Sequence, residues 1–329
     1  MSKHAEPLPP PRPDDSSYYG RPILKPPAWD WRIPAYLLAG GASAGSTLLS
    51  VGADLSGRPR LRRRTRIAAG AALGASMYFL VSDLGKPLRF HHMLRVAKPT
   101  SPMSMGTWIL SAFGGAAGLA AAAEVAPMLP RPLRGPARVA GRAGGAAAGA
   151  IAPALATYTA VLLADTATPS WHEAHRDLPF VFAGSALASG AGAGLIGAGL
   201  APGGAGLREA GPARRLATVG AALELYGAHR IETDLGLLSE PYRAGRAGRL
   251  LRTGRLLTAV GVAGAWLGRR SRIASVASGV ALLVASLVTR FGIFEGGVAS
   301  ANDPKYTVEP QRARLADAPF RDVGGSLPL

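Results

Sequence analysis

Seven stretches of this chain contain no Asp, Glu, Lys or Arg, and they constrain its fold more than any other feature. They cover residues 33–53, 67–82, 103–123, 143–164, 178–207, 256–268 and 273–289. Several reach the roughly 20 residues that a helix needs to cross about 30 Å of hydrocarbon. The apolar share of 48% leaves out 43 glycines, and small residues let membrane helices approach closely. The expected fold is an all-α integral membrane protein, a bundle of eight transmembrane helices. These are expected near 33–53, 66–84, 103–127, 139–165, 178–200, 214–238, 251–268 and 271–291. The sixth is the least apolar and carries Glu224, His229, Arg230, Glu232 and Asp234.

Three regions follow. Residues 1–32 read as a proline-rich tail outside the cytoplasm, since MSKHAEPLPPPRPDD has no apolar core of a cleavable signal. Residues 33–300 form the eight-helix transmembrane domain, and 301–329 a polar tail. The net charge of +17 does not point to nucleic acid, because the basic residues lie in short connections without an aromatic–basic reading surface. Lys and Arg are denser after the first, third, fifth and seventh helices than after the others. The positive-inside rule then puts both termini outside, in a multi-pass plasma-membrane protein surrounded by lipid.

The connection 83–108, DLGKPLRFHHMLRVAKPTSPMSMGTW, is not generic loop. It combines Asp83, four cations and the adjacent His91 and His92. Pro99 and Pro102 restrict the backbone, and Ser101 and Ser104 flank the second of them. A stiff cationic surface of this kind suits docking of a partner through Lys86 and Arg89, or the grip of an anionic or quinone-like ligand. It also suits a loop that only sets topology.

Charges within membrane segments are costly, so Asp83 and Glu224 are functional candidates. Asp83 also has Lys86 or Arg89 as a local ion-pair partner. Glu224 suits a proton relay or a quinone site, or equally a structural pairing with a neighbouring arginine. His229 can exchange protons near neutral pH, and Arg230 and Asp234 are spaced for an i,i+4 ion pair. Tyr36 and Tyr158 carry hydroxyls that need partners when buried, a quinone carbonyl or a backbone carbonyl. Zero cysteines exclude an iron–sulfur cluster held by this chain's own thiolates. Of the six histidines only His229 falls within a helix, which argues against a bis-histidine haem. The WHEAH segment lacks zinc-site spacing, and no phosphate-binding glycine loop is present.

Five phrases together resemble the NrfD-like membrane-anchor family, typified by the membrane subunit of polysulphide reductase. They are I-P-x-Y-L-L-A-G-G-x-x-A-G at 33–45, D-L-G-K-P-x-R-F at 83–90, P-x-S-P-M-S-M-G-T-W at 99–108 and Y-T-A-V-L-L-A at 158–164. The fifth, D-P-K-Y-T-V-E-P-Q-R at 303–312, is similar to actinobacterial members. The resemblance implies an eight-helix subunit without haem that exchanges electrons between a quinone, of menaquinone or ubiquinone type, and a ferredoxin-like iron–sulfur subunit. That partner would serve a molybdopterin catalytic subunit. By motif, Tyr158 matches the helix-four tyrosine of the quinone site and the segment around Pro34 and Tyr36 its other wall. Gly40 and Gly41 would leave room for a flat ring. Asp83, His91 and His92 are the nearest titratable groups by depth, with Glu224 and His229 as further relay candidates. A proton- or solute-translocating protein is the alternative, although no internal repeat with broken helices supports it.

Overall fold

The computed structural model describes residues 22–317, and every regular element among them is helical. Most of the proline-rich tail, and the end of the polar tail, lie outside the described residues. Eight helices exceed 20 residues: α1 (Arg32–Leu55), α2 (Pro59–Asp83), α3 (Pro102–Ala122), α4 (Arg131–Ala164), α5 (Leu178–Gly199), α6 (Gly211–Asp234), α7 (Gly245–Leu267) and α8 (Arg272–Asn302). Prolines stand in the first turn of α2, α3, α4, α5 and α6, where the missing N–H has no helical acceptor to lose. The Ser101 and Ser271 side chains cap α3 and α8.

The long helices fall where the sequence places them, with four ends displaced. α2 starts at Pro59 rather than near 66, α4 at Arg131 rather than 139 and α7 at Gly245 rather than 251, while α8 runs to Asn302 rather than 291. The expected count of eight spans is not what length and apolarity return. Four helices meet both criteria: α3 with its 3-10 extension to Met128, α4, α5 and α8. A fifth span arises if α2 is joined to the 3-10 helix Pro87–Leu94, to which it is bent by 104°. α1 falls short because glycine, serine and threonine dilute it, and α7 because Arg246, Arg249, Arg252 and Arg255 occupy its first half.

α5 forms the centre of the bundle and packs on α1, α4, α6 and α8. Its small residues allow this. A Cβ on Gly45 of α1 would stand 1.9 Å from the Ala186 carbonyl oxygen, and one on Gly190 would stand 2.1 Å from the Gly45 carbonyl carbon. The two backbones are therefore in direct contact, an approach only glycine permits. Across α5 and α6, a Cβ on Gly184 would lie 2.3 Å from the Glu224 amide. Serine hydroxyls tie the helices further: Ser43 donates to the Ala69 carbonyl at 2.8 Å, Ser275 to Leu195 at 2.8 Å and Ser286 to Ser185 at 2.9 Å. Such bonds matter more where lipid offers backbone groups no water.

One end of the bundle is closed by the segment after α4. The expected plain connection there contains a short helix, Pro169–Glu173, whose Trp171 is fully buried. Its indole N–H donates to the Ile293 carbonyl at 2.8 Å, and its ring stacks on Trp29. The polar tail is also partly helical, as α9 (Lys305–Asp317). Lys305 bonds Glu240 at 2.7 Å, which holds that carboxyl below its usual range, and Arg314 bonds Glu173 at 2.6 Å.

Candidate functional site

The start of α1, the end of α2, the start of α3 and the end of α4 meet at one end of the bundle. Between them lies a cavity of about 140 Å³. Tyr36 enters from the second turn of α1 and Tyr158 from the next-to-last turn of α4. Asp83, the last residue of α2, forms part of the rim, with Trp29 and Met93. Gly106 and Leu110 of α3 complete the wall. The Tyr158 ring lies directly on the α3 backbone, since a Cβ on Gly106 would stand 2.3 Å from its Cε2. Both tyrosines are buried, yet neither phenol oxygen has a hydrogen-bond partner among the described residues. Of the two partners the sequence leaves open, no backbone carbonyl fills the role. The backbone oxygen of Tyr36, by contrast, accepts from Ser76 at 3.3 Å.

The chemistry of this pocket follows from its lining. Apolar walls with two phenols and one carboxylate suit a ring that carries hydrogen-bond acceptors. An engineered apolar cavity of about 150 Å³ takes up benzene, so this volume fits one six-membered ring, and the second fused ring of a naphthoquinone would lie outside it. A longer apolar tail would have to leave towards lipid. The residues present therefore fit a quinone head.

The remaining predicted residues are spread more widely. Pro34 is buried in α1 outside the cavity lining. Gly40 faces Ser76 of α2, and Gly41 faces Ala186 and Arg290. His91 and His92 stand exposed on the 3-10 helix, ring to ring at 4.5 Å. Glu224 is buried far along the chain from them, where it accepts from Thr289 Oγ1 at 2.7 Å. His229 is exposed on another face of α6. Glu232 shares a small pocket with Glu224 and pairs with Arg255 of α7. The Arg230–Asp234 ion pair forms at 2.7 Å.

The 83–108 connection is stiffened by its serines as well as its prolines. Ser101 accepts from the Ser104 amide at 3.5 Å. The Ser104 hydroxyl donates to the Val96 carbonyl at 2.8 Å and accepts from the Lys98 amide at 3.0 Å. These two serines, with Pro102 at the helix start, hold the loop's shape. Lys86, Arg89 and Pro99 are exposed on it.

Sequence reasoning missed Gly106 and Arg290. Gly106 sits inside the quoted P-x-S-P-M-S-M-G-T-W phrase, so its signal was in view. Arg290 marked the end of an apolar run, but it lies in mid-helix and is 1% exposed. It donates to the Phe182 carbonyl at 2.8 Å and covers the Phe182 ring at 3.8 Å.

Among the described residues no cluster of three or more His, Cys, Asp or Glu could hold a metal ion. The fold and cavity thus define an all-helical membrane protein with a small ring-sized site between its first four helices. A family model described as "Polysulphide reductase, NrfD" matches residues 24–205, and this chain belongs to the NrfD family. The match takes in all four cavity-forming helices. No curated protein matches the chain.

Proposed function

We propose that this chain is the membrane-anchor, quinone-interacting subunit of a multi-subunit molybdopterin and iron–sulfur oxidoreductase. It would pass electrons between the quinone pool and a ferredoxin-like iron–sulfur subunit. The observation that carries this reading is the pair of buried phenols, Tyr36 and Tyr158, facing one cavity without a protein partner. A bound quinone, of menaquinone or ubiquinone type, supplies the two-electron, two-proton chemistry that the polypeptide lacks. The phenols donate hydrogen bonds that orient its carbonyls, and Asp83 at the rim is placed to exchange protons. Because the chain has no cysteine, the electrons need a cluster on another subunit. All eight long helices are read as spans of residues 33–300, with both termini outside the plasma membrane. Lys and Arg density in the connections supports that orientation.

A photoreactive quinone analogue is expected to label peptides from α1, α3 and α4. Tyr158→Phe removes one hydrogen bond and should weaken this binding roughly two- to tenfold. Labelling confined to α6 or α8 would overturn the site.

The exposed Lys86 and Arg89 beside this cavity suit an acidic docking partner. Charge reversal of both to Glu is expected to release the iron–sulfur subunit from membranes while this chain stays folded. Retention of that subunit at physiological salt would remove the docking role. The alternative, a proton- or solute-translocating protein, draws on buried Glu224. Asp83, Glu224 and exposed His229 occupy separate sites, however, so no relay among them is continuous.

A further inference from the structure

At the other end of the bundle, the first turns of α2, the 3-10 turn that follows α3 and the first half of α4 surround a cavity of about 530 Å³. Six arginines line it: Arg60, Arg62, Arg63, Arg66, Arg138 and Arg142. Glu124 is the one carboxylate of that lining among the described residues. Arg62 meets Asp54 at 2.8 Å and Arg66 meets Glu124 at 2.9 Å, so these two cations are matched within the protein. No carboxylate of the described residues comes within ion-pair distance of the other four. Arg66 is 7% exposed, and its Nε has no hydrogen-bond partner among the described residues. The four unmatched guanidinium groups are exposed, and together they give the cavity a positive field that favours an anion.

Its depth narrows the anion. α4 has 34 residues, or about 51 Å at 1.5 Å per residue, well beyond the roughly 30 Å hydrocarbon layer. Counted back from Ala164, Arg142 falls roughly 33 Å away, at the far boundary of that layer. Arg66 lies roughly 26 Å from Asp83 along α2, at a similar depth. Next to Arg66 and one residue deeper along α2, Ile67 exposes an apolar side chain. The arrangement is a cationic socket at headgroup level with an apolar flank beneath it.

We propose that this socket binds the phosphate of an anionic phospholipid, whose acyl chains run down α2 past Ile67. Planar guanidinium groups match phosphate oxygens in pairs, and basic pockets between membrane helices are known to hold such headgroups. A freely diffusing phosphate would use the same arginines but not the apolar flank. The proposal is independent of the quinone reading, because it concerns the opposite end of α2.

The test uses the full chain purified in detergent, with native mass spectrometry and thermal unfolding as readouts. Phosphatidylglycerol or cardiolipin should bind saturably and raise the melting temperature; phosphatidylcholine should not. Arg138→Gln with Arg142→Gln, both exposed and unmatched, should weaken retention of the anionic lipid about tenfold or more. Arg249→Gln with Arg252→Gln on α7 removes the same charge elsewhere and should leave retention unchanged. Equal loss in both pairs would reduce the effect to net charge and overturn the site. Stabilisation by inorganic phosphate equal to that by lipid would overturn the lipid assignment. Unchanged retention in the Arg138/Arg142 variant would leave these arginines as topology signals only.

Discussion

A Gly106→Leu variant should lose quinone binding and quinone-coupled electron transfer by more than an order of magnitude while the bundle still assembles. Even a Cβ at this position would stand 2.3 Å from Cε2 and 2.7 Å from Cδ2 of Tyr158. The rest of a leucine side chain would enter a cavity of only about 140 Å³. The Tyr158 ring must then swing away or the ligand must leave, and either outcome removes the phenol from its acceptor. Overpacking of this kind costs about 1–3 kcal/mol, which a bundle of eight long helices can absorb. The lost ligand binding is larger than the effect of Tyr158→Phe, which deletes one hydrogen bond and leaves the space open. Photolabelling and quinol-driven reduction of the partner are the measurements. Normal quinone kinetics in a folded Gly106→Leu protein would move the site away from α1, α3 and α4.

The second large effect concerns the other buried polar centre. Arg290→Ala should destabilise the bundle by about 2–5 kcal/mol, the usual cost of truncating a large, fully buried side chain, here with loss of its bond to the Phe182 carbonyl and its contact with the Phe182 ring. Arg290 is fully buried between α1, α5 and α8; its Nη2 would stand 3.0 Å from a Cβ on Gly41. Its Nε and Nη1, and Oε2 of Glu224, have no hydrogen-bond partner among the described residues. No ion pair joins Arg290 and Glu224 among the described residues; Thr289, the neighbour of Arg290, bonds Glu224 between α6 and α8 at 2.7 Å, so any dependence between the two groups acts over a longer distance. A double-mutant cycle with Glu224→Gln and Arg290→Met, followed by unfolding in detergent, measures that dependence. The pair should be less unstable than the sum of the singles. Strict additivity would show that Arg290 is held by Phe182 alone.

Much of this was legible in the chain. Uncharged runs located the long helices because lipid tolerates few charges and requires every backbone group to be bonded within the segment. Depth could also be counted. Tyr36 near one helix start and Tyr158 near another helix end had to share a level if alternate helices run antiparallel. Asp83 at the end of α2 followed by the same count. Helix periodicity does not, however, decide which way a residue faces when nearly every neighbour is glycine or alanine. Gly40 and Gly41 adjoin Tyr36 in sequence, yet they face α2 and α5 because those positions allow the close crossings there.

Only the tertiary structure decided the rest. It turned Glu232 towards Arg255 on α7, left His229 exposed, and bonded Glu224 to Thr289, 65 residues away. It made Ser101 and Ser104 into loop staples, and it put Gly106 beneath the Tyr158 ring. Local sequence sets where a membrane helix begins, ends and carries charge. Which of its faces meets which neighbour depends on contacts between distant backbones, and in a chain so rich in small residues those contacts leave almost no trace in hydropathy.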